Sequence, residues 1–256
     1  MPFALVVGSA GGIGRETAVL LRDRGFAVAA IDREAFSIPG IETTVLDITC
    51  RDNVQQFVQD LTIPVDVLVM SAAVHNTHPA EYLTDSIVDE VLNVNLSSHI
   101  KLVRDVLPHM SNGGFILGVS SIAACVGVPM SSLYSASKAG IEGFYESLRT
   151  ELAYRRIRVS VIHPGNVNTG FNETGNTYKP VGNPVVDKHY ADVVNGIDST
   201  LGISPKHVAE VALRVLSRKK PRFCYVVGMN ARKANWARKI LGRDLAIKLM
   251  GKFFGF

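Results

Sequence analysis

Phe3-Ala4-Leu5-Val6-Val7-Gly8-Ser9-Ala10-Gly11-Gly12-Ile13-Gly14 decides how the chain is read. Five apolar residues in a row fit a strand buried on both faces, as in a parallel sheet, rather than a half-solvated one. Three spaced glycines, with Ser9 and Ile13 among them, then turn the chain into a helix over Arg15 to Arg24. Glycine permits the tight turn and lets backbone N–H groups approach a pyrophosphate, which the positive end of the helix also favours. A second apolar strand, Ala27 to Ile31, ends on Asp32, eighteen residues beyond Gly14. That is where a carboxylate reads the ribose of an adenine dinucleotide. Asp32 accepts from ribose hydroxyls and repels a 2′-phosphate, so it points to NAD over NADP. Arg33 is the counter-signal, because a guanidinium there can hold that phosphate.

Outward from this unit, strands and helices alternate. A third strand, Thr43 to Leu46, ends in Asp47-Ile48, and an amphipathic helix follows near Asp52 to Leu61. A fourth strand, Pro64 to Met70, delivers Ser71-Ala72-Ala73, whose small side chains leave room for a cofactor against the backbone. Thr84 to Met110 is apolar at helical spacing but interrupted by Asn93 and Asn95. Asparagine competes for backbone hydrogen bonds, so one of the two marks either a deformed helix holding a water or an exposed face. A fifth strand runs to Ser121, a helix from Tyr134 to Arg156, and a sixth strand from Ile157 to Ile162, leading into His163-Pro164-Gly165-Asn166-Val167-Asn168-Thr169. Ser204-Pro205 starts a further helix, and Phe223 to Val227 reads as a seventh, edge strand. The expectation is one α/β domain over 1–256, a Rossmann-type doubly wound parallel sheet of about seven strands with helices on both faces. Every candidate group falls at a strand's carboxyl end, where such sheets bind ligands.

Ser121, Tyr134 and Lys138 can make a proton-transfer site. Residues i and i+4 share a helix face, which sets the Lys138 ammonium beside the Tyr134 phenol. A free phenol titrates near about 10 and is a poor base at neutral pH; an adjacent cation is expected to bring it down. Chance alone yields about 0.3 Tyr-x-x-x-Lys in such a composition, so the motif's weight comes from its context.

The remaining features narrow the class. No apolar run reaches the roughly 18 residues of a membrane span, and Met1-Pro2 leads straight into a strand rather than a basic leader. Cys50, Cys125 and Cys224 are odd in number and widely spaced, as in a reduced cytoplasmic protein. His75 and His78 lack a visible third ligand, so no metal is expected, and His99 and His109 read as ordinary helix residues. Residues 166–204 are rich in glycine and polar residues and follow Thr169, the place for a substrate lid. The net charge of +4 conceals a split: residues 214–256 carry twelve Lys or Arg against Asp244 alone. Within that end, 231–256 is a basic amphipathic segment with Trp236, Ile240, Leu245, Leu249 and Phe253. Such a segment lies on an anionic membrane surface, caps an apolar substrate mouth, or packs on the domain or a partner subunit. No reading motif points to nucleic acid.

Taken together, these motifs resemble the short-chain dehydrogenase/reductase family over nearly the whole length. Gly8-x-x-x-Gly12-x-Gly14 resembles its cofactor loop, Asp47 its adenine-side acid, and Asn95 its water-holding asparagine. Ser121, Tyr134 and Lys138 resemble its catalytic set, and Pro164-Gly165-x-Val167-x-Thr169 its nicotinamide-gripping segment. Val7 departs from the family's usual Thr, and Ser71-Ala72-Ala73 from its Asn-Ala-Gly. The resemblance implies hydride exchange between a nicotinamide and a secondary alcohol or ketone, in a homodimer or homotetramer pairing near Asn95–Met110 and Tyr134–Arg156; the lid and the apolar residues of the C-terminal segment point to a hydrophobic substrate. It implies that Asn95 holds a water linking Lys138 to solvent. Two other classes compete. A non-catalytic nucleotide-binding scaffold on the same fold is expected to lose Tyr or Lys; a sugar-nucleotide epimerase or dehydratase needs a larger substrate portion than follows Thr169.

Overall fold

The computed structural model describes residues 1–169, 176–196 and 202–255. Seven strands form its main sheet: β1 (Phe3–Val7), β2 (Ala27–Asp32), β3 (Glu42–Val45), β4 (Val65–Met70), β5 (Met110–Val119), β6 (Arg158–Pro164) and β7 (Cys224–Val227). Their order is β3-β2-β1-β4-β5-β6-β7, and every pairing is parallel. The order reverses beside β1, where Val7 is level with Ile31 of β2 and with Met70 of β4. A crevice opens at such a switch point because the connections leave in opposite directions.

Alternation along β1 shows why its run is unbroken. Phe3, Leu5 and Val7 face one core with Leu102, Val106, Ile141 and Tyr145, whereas Ala4 and Val6 face the other with Ala18, Leu21, Val208 and Ala212. The first core is roofed by α2 (Arg51–Gln59), α4 (His99–Val106) and α5 (Ser132–Glu151), the second by α1 (Gly12–Asp23) and α7 (Pro205–Leu216). Ser204 caps α7 by accepting from His207 N, with Pro205 in its first turn, as its sequence signature predicts.

Three segments differ from expectation. The Thr84–Met110 stretch is α3 (Asp85–Leu92), a π-helical turn over Asn93–Ser98, then α4 and a short 3-10 turn, Leu107–His109. Both asparagines lie in the π turn, so the deformation is real; such turns gather at functional sites. The 166–204 segment holds an unanticipated helix, α6 (Pro184–Gly196), and a two-residue strand, Asn176–Thr177, paired with Asn76–Thr77. The rest of that lid region, 170–175 and 197–201, lies outside the described residues. The C-terminal segment is α8 (Met229–Phe253), broken at Gly242, whose φ of 80° is left-handed and favours glycine.

His99 is more than an ordinary helix residue. Its Nε2 lies 2.6 Å from the Tyr145 hydroxyl, both side chains fully buried. A Cβ on Gly118 of β5 would stand 2.4 Å from the Tyr145 ring. Gly118→Ala therefore pushes that ring off His99, and we expect a loss of about 1–3 kcal/mol in urea unfolding, the usual range for an overpacked core.

Candidate active site at the carboxyl edge of the sheet

A cleft of about 1220 Å³ runs along the carboxyl ends of the strands, between the glycine loop and α8. The loop is fixed by backbone: Ile31 O accepts from Gly8 N at 2.9 Å and Ser9 N at 3.1 Å. Each motif glycine marks a close approach. A Cβ on Gly8, whose φ is +86°, would lie 2.4 Å from Ala72 N, one on Gly14 2.0 Å from Gly8 O, and one on Gly12 2.2 Å from Thr169 Cγ2. Ser9 turns inward, donating to Val6 O at 2.8 Å, and Gly14 packs behind the loop, so neither lines the cleft. Ala10 and Gly11, not singled out from the sequence, line it instead with Gly8, Gly12 and Ile13. Gly11 precedes α1 without a side-chain cap, and a Cβ there would meet nothing within 4 Å. The first-turn N–H groups of α1 are thus left for an anion, and the cradle fits a dinucleotide's pyrophosphate. Where Val7 replaces a hydroxyl residue, the backbone makes the link: Ser71 N donates to Val7 O at 2.8 Å.

Asp32 sits at the end of β2 and accepts from Ala10 N at 2.9 Å and Glu34 N at 3.2 Å. Arg33 also lines the cleft, half-exposed, with its Nε 3.4 Å from Glu34 Oε1. Asp47 accepts from both the N and Oγ1 of Thr49 at 2.8 Å, closing the turn that carries Ile48 to the cleft. Ser71, Ala72 and Ala73 line the floor, and Pro164, Val167 and Thr169 the far wall. Val167 is held by a parallel bridge to Ile203, and Thr169 N donates to Val167 O at 2.9 Å.

Tyr134 and Lys138 come from the first turns of α5, and Ser121 from the end of β5. Ser121 is hydrogen-bonded to the Tyr134 phenol, and its Oγ accepts from Ala123 N at 3.1 Å. Lys138 Nζ lies 5.7 Å from the Tyr134 ring centre and donates to Val119 O at 3.1 Å. The three expected groups therefore meet at one point of the cleft. The expected depression of the phenol is not found. Burial pushes Tyr134 up to about 12, against the opposing hydrogen bond of Ser121, and brings Lys138 down to about 8. Desolvation disfavours both charged forms and here outweighs their mutual help.

Asn95 anchors the deformed turn by its side chain. Its Oδ1 accepts from Val74 N at 2.8 Å, while Nδ2 donates to Val74 O at 2.8 Å and Ser137 Oγ at 3.1 Å. The amide is fully buried and staples the π turn to the exit of β4 instead of facing the cleft; Asn93 lines it. His75 is a residue the sequence reading passed over. Its ring meets Tyr134 edge-on at 4.7 Å, and burial together with Lys138 lowers its pKa to about 4, so it presents a neutral imidazole. Its only sequence signal was the pairing with His78, which reads as an ordinary loop pair.

Behind the same edge, His163 is wholly buried. Its Nδ1 lies 3.1 Å from Cys125 Sγ and 3.3 Å from Cys224 Sγ, and its Nε2 3.3 Å from Glu142 Oε2. Burial lowers its pKa, but these three partners together push it up to about 11.

The mouth is closed by helices. Ala231, Ala234, Ala237, Leu249, Met250 and Phe253 bring α8 into the cleft wall, while Trp236, Ile240 and Ile247 remain exposed. A Cβ on Gly196 of α6 would lie 3.2 Å from the Phe254 ring, so the end of α6 packs against the end of α8. The segment thus caps the mouth rather than packing as one amphipathic helix. Among the described residues no helix is long and apolar enough to cross a membrane.

Comparison with known proteins agrees with this geometry. The chain is 29% identical over 236 residues to 3-ketodihydrosphingosine reductase of Bacteroides thetaiotaomicron, covering 88% of this chain and 87% of that one. The structure of a short chain dehydrogenase from Burkholderia cenocepacia in complex with NADP superposes with a TM-score of 0.79 at 23% identity, over 97% of each chain. That of 4-hydroxyisoleucine dehydrogenase complexed with NADH gives 0.72 at 19%, over 89% of this chain and 96% of that one. Residues 2–179 match the family described as short chain dehydrogenase, and the chain belongs to that family.

Proposed function

We propose that the chain is an oxidoreductase exchanging a hydride between a nicotinamide cofactor and a ketone or secondary alcohol on a hydrophobic substrate. The convergence of Ser121, Tyr134 and Lys138 in a cleft that also holds a glycine cradle carries this reading. The bound nicotinamide supplies the hydride chemistry. The chain's own residues supply the proton and the positioning. Tyr134 gives its phenolic proton to the carbonyl oxygen in reduction and takes it back in oxidation; Ser121 holds that oxygen. Gly8, Gly12, Ile13 and the first turn of α1 would hold the pyrophosphate, and Pro164, Val167 and Thr169 the nicotinamide side. Neutral His75, packed on Tyr134, adds an uncharged wall suited to an apolar substrate, as do the α8 alanines, Leu249 and Met250. The relative acting on 3-ketodihydrosphingosine supports a long-chain ketone. A scaffold has no use for the buried Tyr134–Lys138 pair, whose desolvation it would bear without return.

NAD is the favoured form. Asp32 sets a carboxylate at the end of β2, which disfavours a 2′-phosphate there, and the acidic Glu34 pairs with Arg33, offsetting part of its charge. In parallel fluorescence titrations NADH should bind at least about 10-fold tighter than NADPH, a difference of about 1.4 kcal/mol, and Asp32→Ala should narrow the gap. Tighter NADPH binding would reverse this choice, and binding of neither nucleotide would remove the oxidoreductase reading.

The exposed Trp236, Ile240 and Ile247, set among the lysines and arginines of α8, suit contact with an anionic lipid surface from which an apolar substrate enters. Sedimentation with phosphatidylserine vesicles should carry the protein down at low salt and release it at high salt; no sedimentation at either would dismiss the contact. We further propose a homodimer or homotetramer in the reducing cytoplasm, in keeping with its free thiols; light scattering reads the assembly directly.

A further inference from the structure

The half of α8 after Gly242 rests on the domain by a narrow seam. Ala246 and Phe254 are buried and Met250 is half-buried, whereas Leu245, Ile247, Leu249 and Phe253 are exposed. Residues four apart share a helix face, so Ala246, Met250 and Phe254 make one stripe and Leu245, Leu249 and Phe253 the next. The first stripe lines the cleft, together with Leu249 and Phe253 of the second. This half is therefore apolar both toward the cleft and toward solvent. Its two ends mark it as a separable piece. Gly242 breaks the helix, and a Cβ there would meet nothing within 4 Å, so the break itself is unpacked. At the far end the Phe254 ring lies against Gly196 of α6, and a Cβ on Gly255 would stand 3.9 Å from Asp192 Cβ.

We propose that this half of α8 is a lipid-operated gate: an anionic membrane surface draws it off the mouth about Gly242 and admits an apolar substrate from the bilayer. The inference rests on the membrane contact and the oxidoreductase reading given above, and it adds the moving part and the route of entry. Charge selects the partner. Over Met229–Phe253 the helix carries seven Lys or Arg against Asp244 alone. A second copy of the chain would set the same positive charge against it, whereas anionic headgroups neutralise it while their acyl chains take up Leu245, Ile247 and Phe253. The lysines reach outward from the exposed side, since Lys248 and Lys252 are themselves exposed.

A membrane can open the gate only through contacts that differ between the shut and open forms. With the gate shut, lipid reaches the outer stripe alone. Opening adds Met250 and Phe254, which now sit in the seam, so lipid binds the open form better. In water the same two side chains would be stripped of cover, and the hydrophobic effect keeps the gate closed. The mouth thus opens where an apolar substrate is dissolved and stays covered elsewhere.

The test needs neither substrate nor cofactor. Trp236 is the chain's one tryptophan, so Trp236→Phe combined with Ile247→Trp sets a fluorescent reporter on the outer face, and combined with Met250→Trp sets one in the seam. Vesicles of phosphatidylserine with brominated phosphatidylcholine should quench both reporters at low salt, and high salt should restore both. Quenching of the Ile247→Trp reporter alone means contact without opening; it overturns the gate and spares the contact. Quenching of neither overturns both, and a dimer in light scattering would then assign the outer face to a second copy. Wild-type protein gives an answer that depends on no variant. On phosphatidylserine vesicles, amide exchange in the last turn of α6, now covered by Phe254, should quicken at least about 10-fold; unchanged exchange overturns the proposal. NADH binding and turnover of cyclohexanone without vesicles test the oxidoreductase reading separately, so a failure there is distinguishable from a failure of the gate.

Discussion

Tyr134→Phe should lower kcat for ketone reduction by about 100- to 10,000-fold, the range of a lost general acid, with nicotinamide affinity changed less than about 3-fold. The phenol is hydrogen-bonded to Ser121 at the cleft, and phenylalanine removes its proton while keeping the buried ring. An equal loss in binding would assign Tyr134 to the cofactor instead. The pH profile separates the two directions. With the phenol pushed up to about 12, it is protonated across the neutral range, so reduction holds a level rate there. Oxidation needs the phenolate, whose fraction grows tenfold per pH unit below the pKa, so its rate should climb with pH. Lys138, held down to about 8 by burial, carries its charge fully only below that pH. Lys138→Met removes the cation and should move the oxidation limb to still higher pH.

How much was legible in the chain follows from the range of the interactions concerned. β1, its glycine loop and Asp32 could be read because strand, turn and helix are adjacent in sequence and each has a local signature. The Tyr134–Lys138 spacing could be read because one helical turn fixes it. The side-chain partner of Asn95 could not, because it is the backbone of Val74, distant in sequence. The titration of Tyr134 also escaped, since it depends on how deeply the fold buries the ring, and spacing carries no depth. Cys125, His163 and Cys224 looked unrelated until the order β5-β6-β7 set their strand ends side by side. The C-terminal stretch read as one basic amphipathic segment, whereas the break at Gly242 splits it into two halves that both reach the cleft, through Ala231, Ala234 and Ala237 before it and Ala246, Leu249 and Met250 after it.

Gly14→Ala should combine a stability loss of about 3 kcal/mol with at least about 100-fold weaker nucleotide binding. The added Cβ would stand 2.0 Å from Gly8 O and 2.8 Å from Gly8 C, both backbone atoms, so no rotamer change relieves it. The loop cannot retreat freely either. Gly8 is bound to Ile31 O on one side and pressed to the Ala72 backbone on the other, so the start of α1 must shift and carry the phosphate-facing N–H groups with it. Gly11→Ala provides the contrast. Its Cβ meets nothing within 4 Å and its φ of −102° suits any residue, so stability should change by less than about 1 kcal/mol, the range for exchanging an N-cap residue. Yet Gly11 lines the cleft, and a methyl group there occupies the space into which a pyrophosphate descends. Loss of NADH binding with an unchanged unfolding midpoint in Gly11→Ala, beside loss of both in Gly14→Ala, would separate the glycine that builds the cradle from the one that leaves it open. Unchanged NADH binding in Gly11→Ala would place the phosphates elsewhere along the cleft.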